Sequence, residues 1–445
     1  MGEAMKSGER AIVAGGGIAG LAAAAALSGR FGEVVVLDRD SLPDGVQVRM
    51  GAGQGAHLHQ LLKAGEQALE RLLPGVTEGF YAAGARRMRV GRDVKVFDFG
   101  GWMDECDAGF DVTSLSRPAY ESVVRAQVAA LPGVSIRTET PVKRLIVDGD
   151  KCTGVELEDG ERLSADLIVD ASGMNAPLLA QLVTDGHATF DTEDVRINVA
   201  YSTVRFRQPD AYKGEAQGYF LLPGPPGKRF GFLLPIEGDQ WILSVGARGK
   251  DSPPRSLAEM LAYAEQFEPA IYARVRDAQP VSELKTFRKP TATRRKAWEA
   301  AKWPERLLVI GDALSSVNPT YGQGMTVAAC EADALATLLD TRAADGAGLD
   351  GLASAYLQLA GEISGRAWSL SINSDYVYDE TEGERPAAYA MNRAVATTLR
   401  RLADEDLEFR ALRYRLVHML ESANALREGA MGIKFFTALQ GSMAS

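Results

Sequence analysis

Cysteine is scarce in this chain. The 445 residues contain three, Cys106, Cys152 and Cys330, and none belongs to a CxxC pair. That scatter is compatible with neither a disulfide framework nor a zinc site, and a reducing compartment fits it. Positive charge is also in deficit: 49 Lys and Arg against 59 Asp and Glu leave a net charge of −10. A nucleic-acid partner is therefore not expected, and the lone basic run, Arg294-Arg295-Lys296, reads as a solvated loop face. Long apolar runs are missing too. The longest expected apolar helix, Ile18 to Leu27, falls far short of the ~20 residues that span a bilayer. No signal-peptide layout is seen, because the first apolar run already reads as a strand. The expectation is a soluble, cytoplasmic protein with no metal site and no membrane span.

What is present has ordinary globular proportions, 46% hydrophobic and 24% charged. A chain of this length accommodates two interlocked domains and an extra segment. The strongest signal lies near the N-terminus, in AIVAGGGIAGLAAAAALSG followed by EVVVLDRD. An apolar strand breaks at Gly15-Gly16-Gly17, an alanine-rich helix follows, and a second strand ends at Asp38. This is a strand–turn–helix–strand unit with G-x-G-x-x-G at Gly15, Gly17 and Gly20. Gly15 permits the tight turn, Gly17 leaves room for a pyrophosphate, and Gly20 lets the helix pack close. The helix start at Ile18 and Ala19 then presents unpaired N–H groups to the anion. Asp38 is placed to accept hydrogen bonds from an adenosine ribose, and Arg39 to lie against adenine. By itself the unit specifies a dinucleotide without saying which.

Further along, HLHQLLKAGEQALERLLPG reads as an amphipathic helix that begins at His57 and His59 and stops at Pro74-Gly75. The two histidines suit capping or packing, or a place beside the cofactor. Met88, Val90, Val94, Val96, Phe97 and Phe99 alternate as in antiparallel strands. Ser116-Arg117-Pro118 precedes a helix to Leu131, and Ala165-DLIVDASG is a further buried strand. Between about 180 and 290 the pattern becomes aromatic sheet. Then the α/β signature returns in LLVIGDALSSVNPTYGQGMTVAA, a strand running into Gly311-Asp312 and a helix from about Met325. Asp312 sits at a strand's carboxyl end, where open α/β sheets bind ligands, and suits the hydroxyls of a sugar or ribityl chain. Gly322-Gln323-Gly324 opens a helix whose N-terminal partial charge stabilises an anion. A reduced flavin carries such charge near N1; NAD has no group that needs a second site.

On three patterns the chain resembles the flavoprotein monooxygenase superfamily typified by p-hydroxybenzoate hydroxylase. They are GGGIAG with Asp38-Arg39, DLIVDASG, and GDA followed by NPTYGQGM. Arg49, Gln54 and His57-Leu-His59, together with WSLSINSDYVYDETEGERP, resemble a bacterial branch that includes epoxidases of polyether biosynthesis. The likeness implies an α/β fold. A discontinuous Rossmann-like FAD-binding domain would cover 8–84, 113–178 and 291–342. An inserted antiparallel β-sheet substrate domain would cover 85–112 and 179–290, with a helical C-terminal segment over 343–445. It implies that Asp312 holds the ribityl chain, that Pro319 to Met325 cradle the isoalloxazine, and that Arg49 and Arg117 contact FAD.

The reaction so implied reduces FAD, forms a C4a-hydroperoxide with O₂, and transfers one oxygen atom to an apolar natural-product intermediate by epoxidation or hydroxylation. The alternative is a reductase or oxidase without oxygen transfer; a halogenase is disfavoured because no W-x-W-x-I-P stretch is present. Tyr201, Tyr219, Phe220, Phe230, Phe232, Trp241 and Tyr321 are candidates to line the substrate pocket, Tyr321 beside the flavin. Where the family's middle motif carries an arginine for NAD(P)H use, this chain has Met174-Asn175-Ala176-Pro177. Both NAD(P)H and a partner flavin reductase therefore stand as electron sources. Oligomeric state is left open.

Overall fold

The computed structural model describes residues 6–42, 45–98 and 100–444; Phe99, expected in the alternating stretch, lies outside the described residues. The chain opens on β1 (Gly8–Ala14), α1 (Ile18–Leu27) and β2 (Phe31–Leu37). A 3₁₀ turn over Met50–Ala56 follows, and α2 (Lys63–Leu72) starts six residues later than the hydrophobic spacing suggests. The expected helical start at His57 is wrong for a tertiary reason. Ser244 Oγ accepts the Leu58 N–H at 3.3 Å, and Thr326 Oγ1 accepts that of Leu62 at 3.0 Å. Those bonds hold the backbone extended where a helix would have used it.

Next come α3 (Val76–Ala82), β3 (Arg86–Arg89), β4 (Val94–Asp98), β5 (Gly101–Trp102), β6 (Asp111–Ser114) and α4 (Arg117–Ala129). Ser116 caps α4 by accepting the Ala119 N–H, with Pro118 in the first turn. The chain continues through β7 (Val134–Arg137), β8 (Val142–Asp148), β9 (Lys151–Leu157), β10 (Arg162–Ser164), β11 (Leu167–Asp170) and α5 (Pro177–Thr184). The sheet region holds β12 (Thr192–Arg207), β13 (Gly218–Leu222), β14 (Arg229–Ile236), β15 (Gln240–Arg248), α6 (Leu257–Phe267), α7 (Pro269–Val275) and β16 (Lys285–Arg295). Last are β17 (Leu307–Val309), β18 (Ser315–Ser316), α8 (Gly324–Ala344), α9 (Leu352–Asp375), α10 (Tyr389–Glu405), α11 (Leu407–Val417) and α12 (Gly429–Ala444).

A parallel sheet in the order β17-β11-β1-β2-β7 forms the Rossmann-like layer. Its register explains how distant motifs meet. Ala14 pairs with both Leu37 and Asp170, and Asp170 pairs with Val309. The carboxyl ends of four strands thus finish level, and the turns after them share one edge. Helices α1, α4 and α8 bury one face of this sheet; α5 with the β8–β10 sheet buries the other.

The second layer is an eight-stranded sheet, β18-β16-β12-β15-β14-β13-β4-β5. It is antiparallel except where β4 pairs with β13 in parallel, since β4 arrives from a distant part of the chain and not through a hairpin. Its strand β16 runs unbroken through the 290/291 boundary anticipated between domains. The basic run there is no solvated loop. Arg294 lies over the Trp298 ring at 4.4 Å, and Arg295 donates to the carbonyls of Ala313 and Met174, each at 3.0 Å. Among the described residues no helix is long and apolar enough to cross a membrane.

Candidate functional site

The level strand ends open into a cavity of about 490 Å³ that continues onto one face of the eight-stranded sheet. At its first end the turn after β1 is closed by backbone. Gly15 has φ +118°, and a Cβ there would lie 2.3 Å from the Ala171 carbonyl oxygen. A Cβ on Gly20 would stand 1.7 Å from Gly15 O, so α1 approaches the strand as closely as glycine allows. Gly17 is different: a Cβ there would meet the Arg49 guanidinium at 3.1 Å and nothing else within contact. The N-terminus of α1 has no side-chain cap and faces the cavity, bordered by Gly17, Ile18 and Ala19. A pyrophosphate fits this cradle, between uncapped N–H groups and an arginine.

Asp38 is more occupied than its position alone suggests. Its carboxylate accepts the Gly16 N–H at 2.6 Å, the Asp40 N–H at 2.8 Å and Arg49 Nη1 at 3.0 Å. Arg49 also pairs with Glu121 at 2.6 Å, and Arg117 reaches the same carboxylate at 3.6 Å. Burial works against the Arg49 charge, but Glu121, Asp38 and Asp40 outweigh it and raise its pKa. Glu121 therefore anchors both arginines. It was legible only as one more polar residue on α4. Arg39 borders the cavity with its side chain exposed.

The middle of the cavity is walled by Asp312, Pro319, Gly322, Gln323, Gly324 and Met325. Helix α8 likewise starts without a side-chain cap, and Asp312 Oδ1 lies 3.5 Å from where a Gly324 Cβ would be. Gly311, at φ +66°, sits just behind; its N–H donates to Glu331 Oε2 at 2.7 Å. Glu331 is fully buried, and desolvation pushes its pKa well above the usual carboxylate range. Lys289, a buried residue, borders the same wall, and its Nζ donates to Ser316 Oγ at 2.5 Å.

The far end is the sheet face. Tyr201, Phe220, Phe230, Phe232 and Phe287 line it, with Leu58, His59 and Ser244. Register separates these from two other candidates. Phe220 pairs with Phe232, which pairs with Ser244, whereas Tyr219 pairs with Leu233 on the opposite face. Tyr219 and Trp241 are buried there against α6 and α7 and do not reach the cavity. Tyr321 also turns away: its hydroxyl hydrogen-bonds to Arg248 and Asp375, each at 3.0 Å, behind the loop. His57 lies beneath the wall, its Nδ1 2.8 Å from Thr203 Oγ1, which is 2.6 Å from Ser244 Oγ. Burial lowers its pKa to about 4; burial and Arg117 lower that of His59 to about 3. Both imidazoles are neutral near pH 7, so neither charges the aromatic chamber.

Residues 9–360 match the family described as FAD binding domain. The chain belongs to that family. As an FAD-binding-domain protein it falls within the p-hydroxybenzoate hydroxylase-like flavoprotein superfamily, and FAD is its cofactor. A protein of Mycobacterium tuberculosis, Rv3254, is 29% identical over 75% of this chain and 73% of its own length. The chloroplastic zeaxanthin epoxidase of Nicotiana plumbaginifolia is 26% identical over 74% of this chain and 48% of its own. Among solved structures, the flavin-dependent brominase Bmp2 superposes with a TM-score of 0.67 at 16% identity, covering 98% of this chain and 99% of that one. PqsL of Pseudomonas aeruginosa gives 0.62 at 19% identity, over 83% and 97%. These likenesses agree with the fold described.

Proposed function

We propose that this protein is an FAD-dependent monooxygenase that places one oxygen atom from O₂ into an apolar natural-product intermediate, by epoxidation of an alkene or by hydroxylation. The observation that supports this most is the continuity of the cavity. Two uncapped helix N-termini, at α1 and α8, open into the same space as an aromatic sheet face. When bound, FAD supplies the activation of O₂ and the oxygen transfer itself. The chain's own residues bind, orient and exclude water. Gly17, Arg49 and Arg117 would hold the pyrophosphate end, Asp312 the ribityl hydroxyls, and the α8 start the anionic edge of the reduced ring.

Beyond the ring site, five aromatic side chains give a substrate a dry, flat wall with few polar demands. Ser244 and His59 add polar groups to this face. The Ser244 Oγ accepts the Leu58 N–H and shares a hydrogen bond with Thr203 Oγ1, which fixes it at the cavity wall. Electrons come from NAD(P)H or from a partner flavin reductase. The deciding experiment supplies ¹⁸O₂ and a reductant to the purified yellow holoprotein with candidate apolar substrates. One labelled oxygen atom per product is expected. Anaerobic turnover to an unlabelled product would replace this reading with a reductase.

A further inference from the structure

The Asn318–Gly324 turn is held from behind by a group that lies outside the family match. Asp375, at the last turn of α9, is completely buried. Its Oδ1 accepts Arg248 Nη1 at 2.6 Å, Asn318 Nδ2 at 2.7 Å and the Tyr321 hydroxyl at 3.0 Å. Arg248 Nη2 in turn donates to the Tyr321 oxygen at 3.0 Å, and the Tyr378 ring covers the guanidinium at 4.5 Å. Three parts of the chain meet at one carboxylate: the aromatic sheet through β15, the turn ahead of α8, and the C-terminal segment.

The consequence runs through Asn318. Because its amide nitrogen points to Asp375, its oxygen is free to accept both the Thr320 N–H at 3.0 Å and the Thr320 hydroxyl at 2.8 Å. Those two bonds form the turn that delivers Gly322, at φ +65°, to the start of α8. A neutral or absent group at 375 no longer dictates which way the amide faces. We infer that Asp375, braced by Arg248, is a positioning residue that sets where the α8 N-terminus stands relative to the flavin ring. The C-terminal segment is thus part of the cofactor site. This rests on the FAD site and is independent of oxygen transfer.

The test compares FAD dissociation constants and flavin midpoint potentials of wild type, Asp375→Ala and the double variant Arg248→Met/Asp375→Leu. The double variant removes both charges and so leaves no lone buried ion. In both variants, binding of reduced FAD is expected to weaken about tenfold more than binding of oxidised FAD. For a two-electron couple that lowers the potential by about 30 mV. A purely structural ion pair would shift the melting temperature and leave both flavin quantities alone, and a folded double variant with wild-type values overturns the inference. If neither variant folds, Tyr321→Phe, which deletes one hydroxyl, is expected to lower the potential in the same direction; an unchanged potential in it overturns the inference as well.

Discussion

The two faces of the eight-stranded sheet have nearly the same composition and opposite uses. On one, Tyr201, Phe220, Phe230, Phe232 and Phe287 wall the cavity. On the other, Phe206, Tyr219 and Trp241 pack with Met260, Tyr263 and Ile271 of α6 and α7. Both are aromatic, and Tyr201, Phe230 and Phe232 are as buried as the sealed face while Phe220 and Phe287 are half-buried, so burial alone does not separate site from core. What differs is the covering: helices seal one face, and the cofactor domain stands across a cavity from the other.

The comparison breaks most visibly at Trp241, fully buried on the sealed face. Trp241→Ala is expected to cost roughly 3–5 kcal/mol, the usual range for emptying a packed aromatic site. Denaturant unfolding measures it, and FAD affinity of the folded fraction is expected to stay at the wild-type value. Phe232→Ala should reverse the pattern. It touches Phe220 and Phe230 at ring separations of 5.3 and 5.7 Å but borders a cavity on its remaining side. A stability loss of about 2 kcal/mol or less is expected. The effect belongs instead in substrate choice, read as a wider range of apolar compounds that stimulate O₂ uptake. Equal stability losses at the two positions would show that the faces are not functionally distinct.

The alternation of residues specifies the strands of this sheet but not their parity. Alternation tells that neighbours such as Tyr219 and Phe220 face opposite ways; which way is inward depends on what packs on each side. The glycine turns were legible because glycine there answers a local demand, a positive φ at Gly15 or a near contact at Gly20. Asp312 was legible for a related reason, since it follows a strand end. Glu331, Arg248, Lys289 and Asp375 were not. Each is a charged residue type in an otherwise ordinary helix or strand, and its partner lies 20 to more than 120 positions away. The late start of α2 belongs with these, because the hydrogen bonds that hold His57–Leu62 extended come from Ser244 and Thr326.

How dry the cavity face is can be read from His57, which packs under it between Tyr201 and Phe287. An imidazole in contact with water titrates near 6.5; this one is held at about 4 by burial. The unfolded chain therefore binds a proton that the folded one refuses between those values. Stability is fully present above pH 6.5 and falls as pH drops toward 4, by at most about 1.4 kcal/mol per pH unit for one group. His418, buried with Nδ1 accepting the Lys63 N–H at 3.2 Å and held near 3, should contribute an equal slope from beneath α2. Chemical denaturation of the wild type and each variant between pH 7 and 5 isolates each histidine by difference, because His59 and buried carboxylates such as Glu331 are common to all. His57→Gln is expected to remove its share of the slope and His418→Gln an equal share. If His57→Gln leaves the slope unchanged while His418→Gln reduces it, water reaches behind the aromatic wall, and the cavity face is wetter than its side chains imply.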